Sequence, residues 1–383
     1  MEKKFNGTNT TCVHAGELED KQFKGAVSPL FMATSYAFDE VEEKRYPRNF
    51  NTPNQVALAK KMAALENTEA ALLFGSGMAA VSTALLGFLE KGDHVVFQKT
   101  LYGGTSNFIL EEFEKFGIFY SFTKDLKITS FEEKIQENTK VIYIETPSNP
   151  LLTVTDIEAV ANLAKHKGLV SMIDNTFATP INQQPIALGI DVVIHSATKY
   201  MGGHSDILAG AVMASEKNIQ KIFSIGRNLG GNLSDYTVWL LERSLKTLAL
   251  RVNAQSQNAQ KMAAYLSQSK YIDKVYYPGL SSHPDHKIAK KQMTGFGGML
   301  SFELVKDLNP KEFMKGLQLI KPSMSLAGVE STILSPAETS HALLTAEQRK
   351  DQGIKDGLLR FSVGIEEVED LITDIEQAIN RIL

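Results

Sequence analysis

Residues 169–200 read LVSMIDNTFATPINQQPIALGIDVVIHSATKY, and this stretch decides the fold. Two runs within it, 169–174 and 192–195, are apolar almost throughout, and each leads into a polar cluster. A strand that is apolar on both faces belongs in a sheet covered on both sides, which is the habit of parallel sheets. Outward from here, short apolar runs alternate with amphipathic segments. Residues 70–74, 94–98, 119–122, 141–145 and 210–214 read as strands, and 78–89, 106–115, 128–136 and 157–166 read as helices. The alternation predicts an α/β fold with a mostly parallel sheet covered by helices.

The flanks behave differently. Residues 1–50 carry many turn formers and no sustained period, and read as an extended arm. From Thr52 an apolar stripe at Val56, Leu58, Met62 and Leu65 predicts a helix with Pro53 in its first turn. A long helical tract is expected from about 235 to 267. The remainder, with a strand at 299–304 and helices at 310–317 and 368–382, reads as a smaller C-terminal α+β domain. The expected division is an arm at 1–50, a large domain at 51–245 and a small domain at 246–383. A chain of 383 residues exceeds what one core sustains, roughly 250–300 residues.

A formal charge of -4 and the absence of any basic tract give no reason to expect nucleic acid or an anionic membrane as partner. A single cysteine, Cys12, rules out an intrachain disulfide and makes a cytoplasmic setting the expectation. Cys12 has no basic surroundings and reads as incidental. No Cys/His metal pattern is present in the sequence, so no metal is expected. The apolar stretch 70–89 is interrupted by Gly75, Ser76 and Gly77, which marks a strand, a turn and a helix and not a membrane span.

Three segments carry chemistry. Gly75-Ser76-Gly77-Met78-Ala79-Ala80 lies between an expected strand and helix, where first-turn amides can face an anion. It fits neither the dinucleotide glycine pattern nor a nucleotide-triphosphate loop, and glycine for a tight turn is the rival reading. Asp174 ends an apolar strand at the carboxyl edge of the sheet, where ligands bind; it suits either a protonated ring nitrogen or the cap of the next turn. Lys199 follows a strand directly, beside Ser196 and Thr198 and ahead of Gly202 and Gly203. A partly buried lysine in such a place has a lowered pKa and suits Schiff-base chemistry; an exposed strand-end lysine is the alternative.

The run Ser196-Ala197-Thr198-Lys199-Tyr200, with Gly202-Gly203-His204-Ser205-Asp206 behind it, resembles the cysteine/methionine-metabolism group of pyridoxal-phosphate enzymes. Tyr46-Pro47-Arg48, Leu101-Tyr102-Gly103-Gly104-Thr105, Glu145 to Pro150, Asp174-Asn175-Thr176, Arg243 to Leu248 and Leu359 to Gly364 extend the likeness over about 28–360. The resemblance implies a seven-stranded, type I aminotransferase-like fold binding pyridoxal 5'-phosphate. It implies that Lys199 carries the cofactor and moves protons, and that Asp174, with Thr176 beside it, pairs with the ring nitrogen. Tyr102 would stack on the ring. Gly77, Met78, Ser196 and Thr198 would hold the phosphate, joined by Tyr46 and Arg48 from a neighbouring subunit of a homotetramer. Arg360, assisted by Asn149 and Ser325, would clamp the carboxylate of a small sulfur amino-acid substrate. Read without the likeness, Tyr46, Arg48, Tyr102, Asn149, Ser325 and Arg360 each have an ordinary packing, turn or ion-pair reading.

The implied reactions are γ-elimination or γ-replacement of the cystathionine γ-lyase or γ-synthase kind, with methionine γ-lyase, O-acetylhomoserine sulfhydrylase and cystathionine β-lyase as alternatives. An aminotransferase is the alternative from another class. Gly104 stands where methionine γ-lyases commonly carry cysteine, and Met324 where a glutamate or tyrosine is common in the cystathionine enzymes. Val329-Glu330-Ser331 and Thr339-Ser340-His341 look like the cystathionine branch.

Overall fold

The computed structural model describes residues 7–339, 345, 347, 349 and 353–383; Ser340 and His341 lie outside them. Seven strands, β1 (Ala70–Phe74), β2 (His94–Phe97), β3 (Phe119–Phe122), β4 (Thr139–Glu145), β5 (Val170–Asp174), β6 (Val192–His195) and β7 (Gly210–Ala214), form one sheet in the order β1-β7-β6-β5-β4-β2-β3. Neighbours pair in parallel except at β7, which runs antiparallel to both β6 and β1. A parallel neighbour to β6 would need a crossover helix. Residues 196–209 form none and instead turn back through Lys199.

Helices α1 (Thr8–His14), α2 (Pro53–Glu66), α3 (Gly77–Leu86), α4 (Gly103–Phe116), α5 (Ile128–Glu132), α6 (Ile157–Lys167), α7 (Thr179–Asn182), α8 (Glu216–Leu229), α9 (Asp235–Leu245) and α10 (Leu248–Gln268) precede the second sheet. Side chains alternate across the large sheet, as a period of two requires. Val96, Ile142, Ile144, Ile173 and Val193 share one core with α2, α6, α9 and α10. Val95, Phe97, Tyr143, Met172 and Ile194 share the other with α3, α4 and α8.

The second sheet comprises β8 (Ile272–Tyr276), β9 (Met299–Leu304), β10 (Lys321–Pro322), β11 (Thr332–Leu334) and β12 (Leu358–Ser362), in the order β10-β11-β12-β9-β8. Helices α11 (His286–Gln292), α12 (Pro310–Gly316) and α13 (Val368–Asn380) accompany it. Its inner residues Phe302, Leu359 and Phe361 join the core that contains α10, so burial is continuous between the two sheets.

Three local expectations change. The arm is not wholly extended: α1 buries Cys12, and the buried Lys61 donates to the carbonyls of Cys12 and Val13 at 3.0 Å each, satisfying the helix end. The tract from 235 to 267 is two helices, because Thr247 (φ -109°, ψ 10°) leaves helical geometry while the apolar spacing carries on. Helix α5 stops at Glu132, short of Gln136, whose amide donates to Thr139 Oγ1. At the start of α2 the expectation holds: Thr52 and Gln55 form a reciprocal cap with Pro53 behind it. No helix among the described residues is long and apolar enough to cross a membrane.

Candidate active site

The carboxyl ends of β4, β5 and β6, the first turns of α3 and α4 and the loop after β10 enclose a cavity of about 590 Å³. Gly77, Met78, Tyr102, Asn149, Asp174, Thr176, Ser196, Thr198, Lys199, Ser325 and Arg360 all line it. Tyr46 and Arg48 do not. Tyr46 is exposed, and Arg48 donates to the carbonyl of Arg227 at 2.7 Å, with its guanidinium 5.6 Å from the Tyr46 ring.

Each wall has a local cause. Ser76 caps α3 by accepting from the Ala79 amide at 3.0 Å, which leaves the amides of Gly77 and Met78 in a first turn that has no carbonyl for them. Gly77 is glycine for space: a Cβ there would lie 2.7 Å from Ser196 Cβ. Thr176 donates its amide to Asp174 Oδ1 at 2.9 Å and accepts from the Ser196 amide at 2.8 Å, tying the loops after β5 and β6 together. The Thr198 hydroxyl is engaged with Ala209, donating to its carbonyl at 3.1 Å and accepting its amide at 3.0 Å.

Lys199 Nζ donates to Ser325 Oγ at 2.9 Å. Burial, and then the charge of Arg360, pushes its pKa from 10.5 down to about 8. Arg360 is buried on β12; Nη1 donates to Asn149 Oδ1 at 3.1 Å and Nη2 to the Ser325 carbonyl at 2.8 Å. Its Nε is buried without a partner among the described residues. A buried cation whose contacts are neutral oxygens is a ready receptor for a carboxylate.

The sequence reading gave Glu145 no role, although it ends an apolar strand as Asp174 does. The two are register partners on β4 and β5 and both are buried. Burial pushes the Asp174 carboxyl up, against the hydrogen bonds from Thr176 and the pull of His195. Burial, and then the charge of Asp174, pushes Glu145 up. Two buried acids side by side call for a cation. Glu66, His195 and Asn175 form a second buried group, with His195 Nε2 2.5 Å and Asn175 Nδ2 2.9 Å from Glu66 Oε1.

The sequence model of the family described as Cys/Met metabolism PLP-dependent enzyme matches residues 9–380. The chain belongs to this family. Within the Cys/Met metabolism PLP-dependent enzymes, a cystathionine beta-lyase of Lactococcus lactis subsp. cremoris is 45% identical over 377 residues, covering 97% of this chain and 98% of that relative. A cystathionine gamma-lyase of Bacillus subtilis is 42% identical over 378 residues, covering 97% and 99%. The solved cystathionine gamma-lyase from Lactobacillus plantarum, complexed with L-serine, superposes with a TM-score of 0.94 at 39% identity, covering 98% of this chain and 99% of that one. The family's cofactor is pyridoxal 5'-phosphate, and the cavity fits it. Its lining holds a buried acidic pair that a cationic ring would balance, a lysine of lowered pKa, and the first-turn amides at Gly77 that a phosphate could use.

Proposed function

We propose that the chain cleaves or exchanges the carbon–sulfur bond of cystathionine-type amino acids by γ-elimination or γ-replacement. The observation that carries this reading is the group formed by Lys199, Ser325 and Arg360. It puts a proton-shuttling amine next to a carboxylate clamp in one cavity. Pyridoxal phosphate, when bound, supplies a conjugated pyridinium that accepts the electron pair left at substrate Cα.

The chain's own residues do the rest. Arg360, with Asn149, orients the substrate by its α-carboxylate. Asp174, steadied by the Thr176 amide, would hold the proton on the ring nitrogen. The amides of Gly77 and Met78 and the hydroxyl of Ser196 would hold the phosphate, with Thr198 shaping the wall, and Tyr102 would cover the ring. Lys199 Nζ takes the proton from substrate Cα, then from Cβ, and returns protons as the thiol departs. A pKa near 8 suits an amine that must both accept and donate near neutral pH. For cystathionine the balance is one water consumed and cysteine, 2-oxobutyrate and ammonia released.

Tyr46 and Arg48 complete a neighbouring subunit's phosphate site in this reading, so the working unit is a homo-oligomer, and the division is arm (1–50), large domain (51–245) and small domain (246–383). The single cysteine supports a cytoplasmic setting. β-Elimination is the second reading, favoured by the 45% identity to a protein named cystathionine beta-lyase.

The test is keto-acid identification after incubating holoenzyme with L-cystathionine. 2-Oxobutyrate establishes γ-cleavage and pyruvate establishes β-cleavage; neither product, with acylhomoserine and cysteine also left unreacted, sinks the reading. Lys199→Ala must abolish both turnover and the visible absorption of lysine-bound cofactor, and turnover at the wild-type rate would refute its role.

A further inference from the structure

The Glu145 carboxylate touches neither Lys199 nor Arg360, yet it is bonded to both sides of the cavity. Oε2 accepts the Tyr102 amide at 2.6 Å and Oε1 the Asn149 amide at 3.3 Å. Asn149 in turn accepts from Arg360 at 3.1 Å. The Tyr102 amide stands at the start of α4, where the helix itself supplies no acceptor. Thus one carboxyl at the end of β4 links the aromatic wall to the carboxylate clamp, over three hydrogen bonds.

We propose that Glu145 is a positioning residue that couples the seating of Tyr102 to occupation of Arg360 by the substrate carboxylate. Burying a carboxyl beside Asp174 is costly, and an amide of the same shape would satisfy only one of the two N–H donors. Both oxygens are therefore needed to hold both segments. A carboxylate arriving at Arg360 competes with Asn149 Oδ1 for Nη1, and any shift of the Asn149 backbone is felt through Glu145 at Tyr102. This rests on the assignment of Arg360 and Tyr102 to substrate and cofactor made above.

The test uses holoenzyme and glycine, an amino acid with the carboxylate and amine but no side chain to eliminate. Glu145→Gln is expected to weaken glycine binding about 10- to 100-fold, the range for losing a buried hydrogen bond and leaving its N–H donor unsatisfied. It is also expected to alter the visible circular dichroism of the bound cofactor. In an Asn149→Ala background the effect of E145Q on glycine binding should shrink to about twofold, since the link to the clamp is already cut. Asp374→Asn is the structural control. Asp374 is buried and accepts the amides of Gln318, Leu319 and Ile320, away from the cavity, so it should lower the melting temperature and leave both readouts unmoved.

E145Q with wild-type glycine affinity and dichroism overturns the proposal, as does full additivity with N149A. If E145Q does not fold, Glu145→Asp carries the same test, because it keeps two acceptor oxygens but is too short to span both amides. Wild-type holoenzyme that ignores glycine would bring down the assignment of Arg360 itself, which separates failure of that reading from failure of the Glu145 role.

Discussion

Lys199 Nζ donates to Ser325 Oγ at 2.9 Å, a contact between the turn after β6 and the loop after β10. The same serine gives its carbonyl to Arg360, so one residue touches both the lysine and the arginine. Its φ of 75° is the left-handed conformation that non-glycine residues seldom adopt, and it holds the backbone where the carbonyl can do this. Ser325→Ala keeps the carbonyl and removes the hydroxyl. Cofactor content is expected to stay at the wild-type level while kcat falls about tenfold, the order of one hydrogen bond. Steady-state kinetics with cofactor absorbance read both.

The lowered pKa of Lys199 has a pH signature. Burial and the charge of Arg360 both disfavour the ammonium, so the neutral amine predominates above about pH 8, where an ordinary lysine would need 10.5. The rate at which apoenzyme takes up pyridoxal phosphate is expected to rise with pH through about 8. Arg360→Met removes a like charge, stabilises the ammonium and moves that midpoint upward. Stopped-flow absorbance across pH 6 to 10 checks it; a midpoint that does not move refutes the contribution of Arg360.

Gly77→Ala puts a methyl carbon 2.7 Å from Ser196 Cβ and 2.8 Å from its Oγ. Ser196 must retreat, and the α3 amides lose their companion donor. Cofactor affinity is expected to fall at least tenfold, about 1.4 kcal/mol, in a fluorescence titration of apoenzyme.

Arg48→Ala tests the arm. Among the described residues Arg48 reaches the Arg227 carbonyl and the Tyr46 ring, both at the surface, so its loss should leave the melting temperature nearly unchanged. If the arm serves a neighbouring cavity, the variant loses cofactor on dialysis several-fold faster than wild type. Equal retention refutes the cross-subunit contact.

Most of the large sheet was legible because its strands are buried on both faces: apolar runs such as Val192–Ile194 have no other home. Helix α1 was not. Its sequence, TNTTCVH, is rich in β-branched residues with poor helix propensity, and its end is satisfied from 49 residues away by Lys61. The strands of the small sheet were mostly missed because β10 spans two residues, β11 three, and β8 breaks its alternation with two consecutive exposed charges, Asp273 and Lys274. The family resemblance pointed to Lys199, Asp174 and Arg360, and all three line the one cavity. Glu145 escaped because its acceptors serve backbone amides, which leave no mark on the residue types of their owners.

The arm is fastened before it reaches outward. Ser28 donates to Glu242 at 2.7 Å, its carbonyl accepts from Trp239 at 2.9 Å, Asn54 holds the Pro29 carbonyl and the Phe31 amide, and Arg45 grips the Asn51 carbonyl. Residues 32–44, which expose Met32, Phe38 and Val41, are thus a loop closed at both ends and not a dangling tail. Much of its conformational freedom is surrendered during folding, so a surface docked against it would gain the apolar contact at a correspondingly smaller entropic cost.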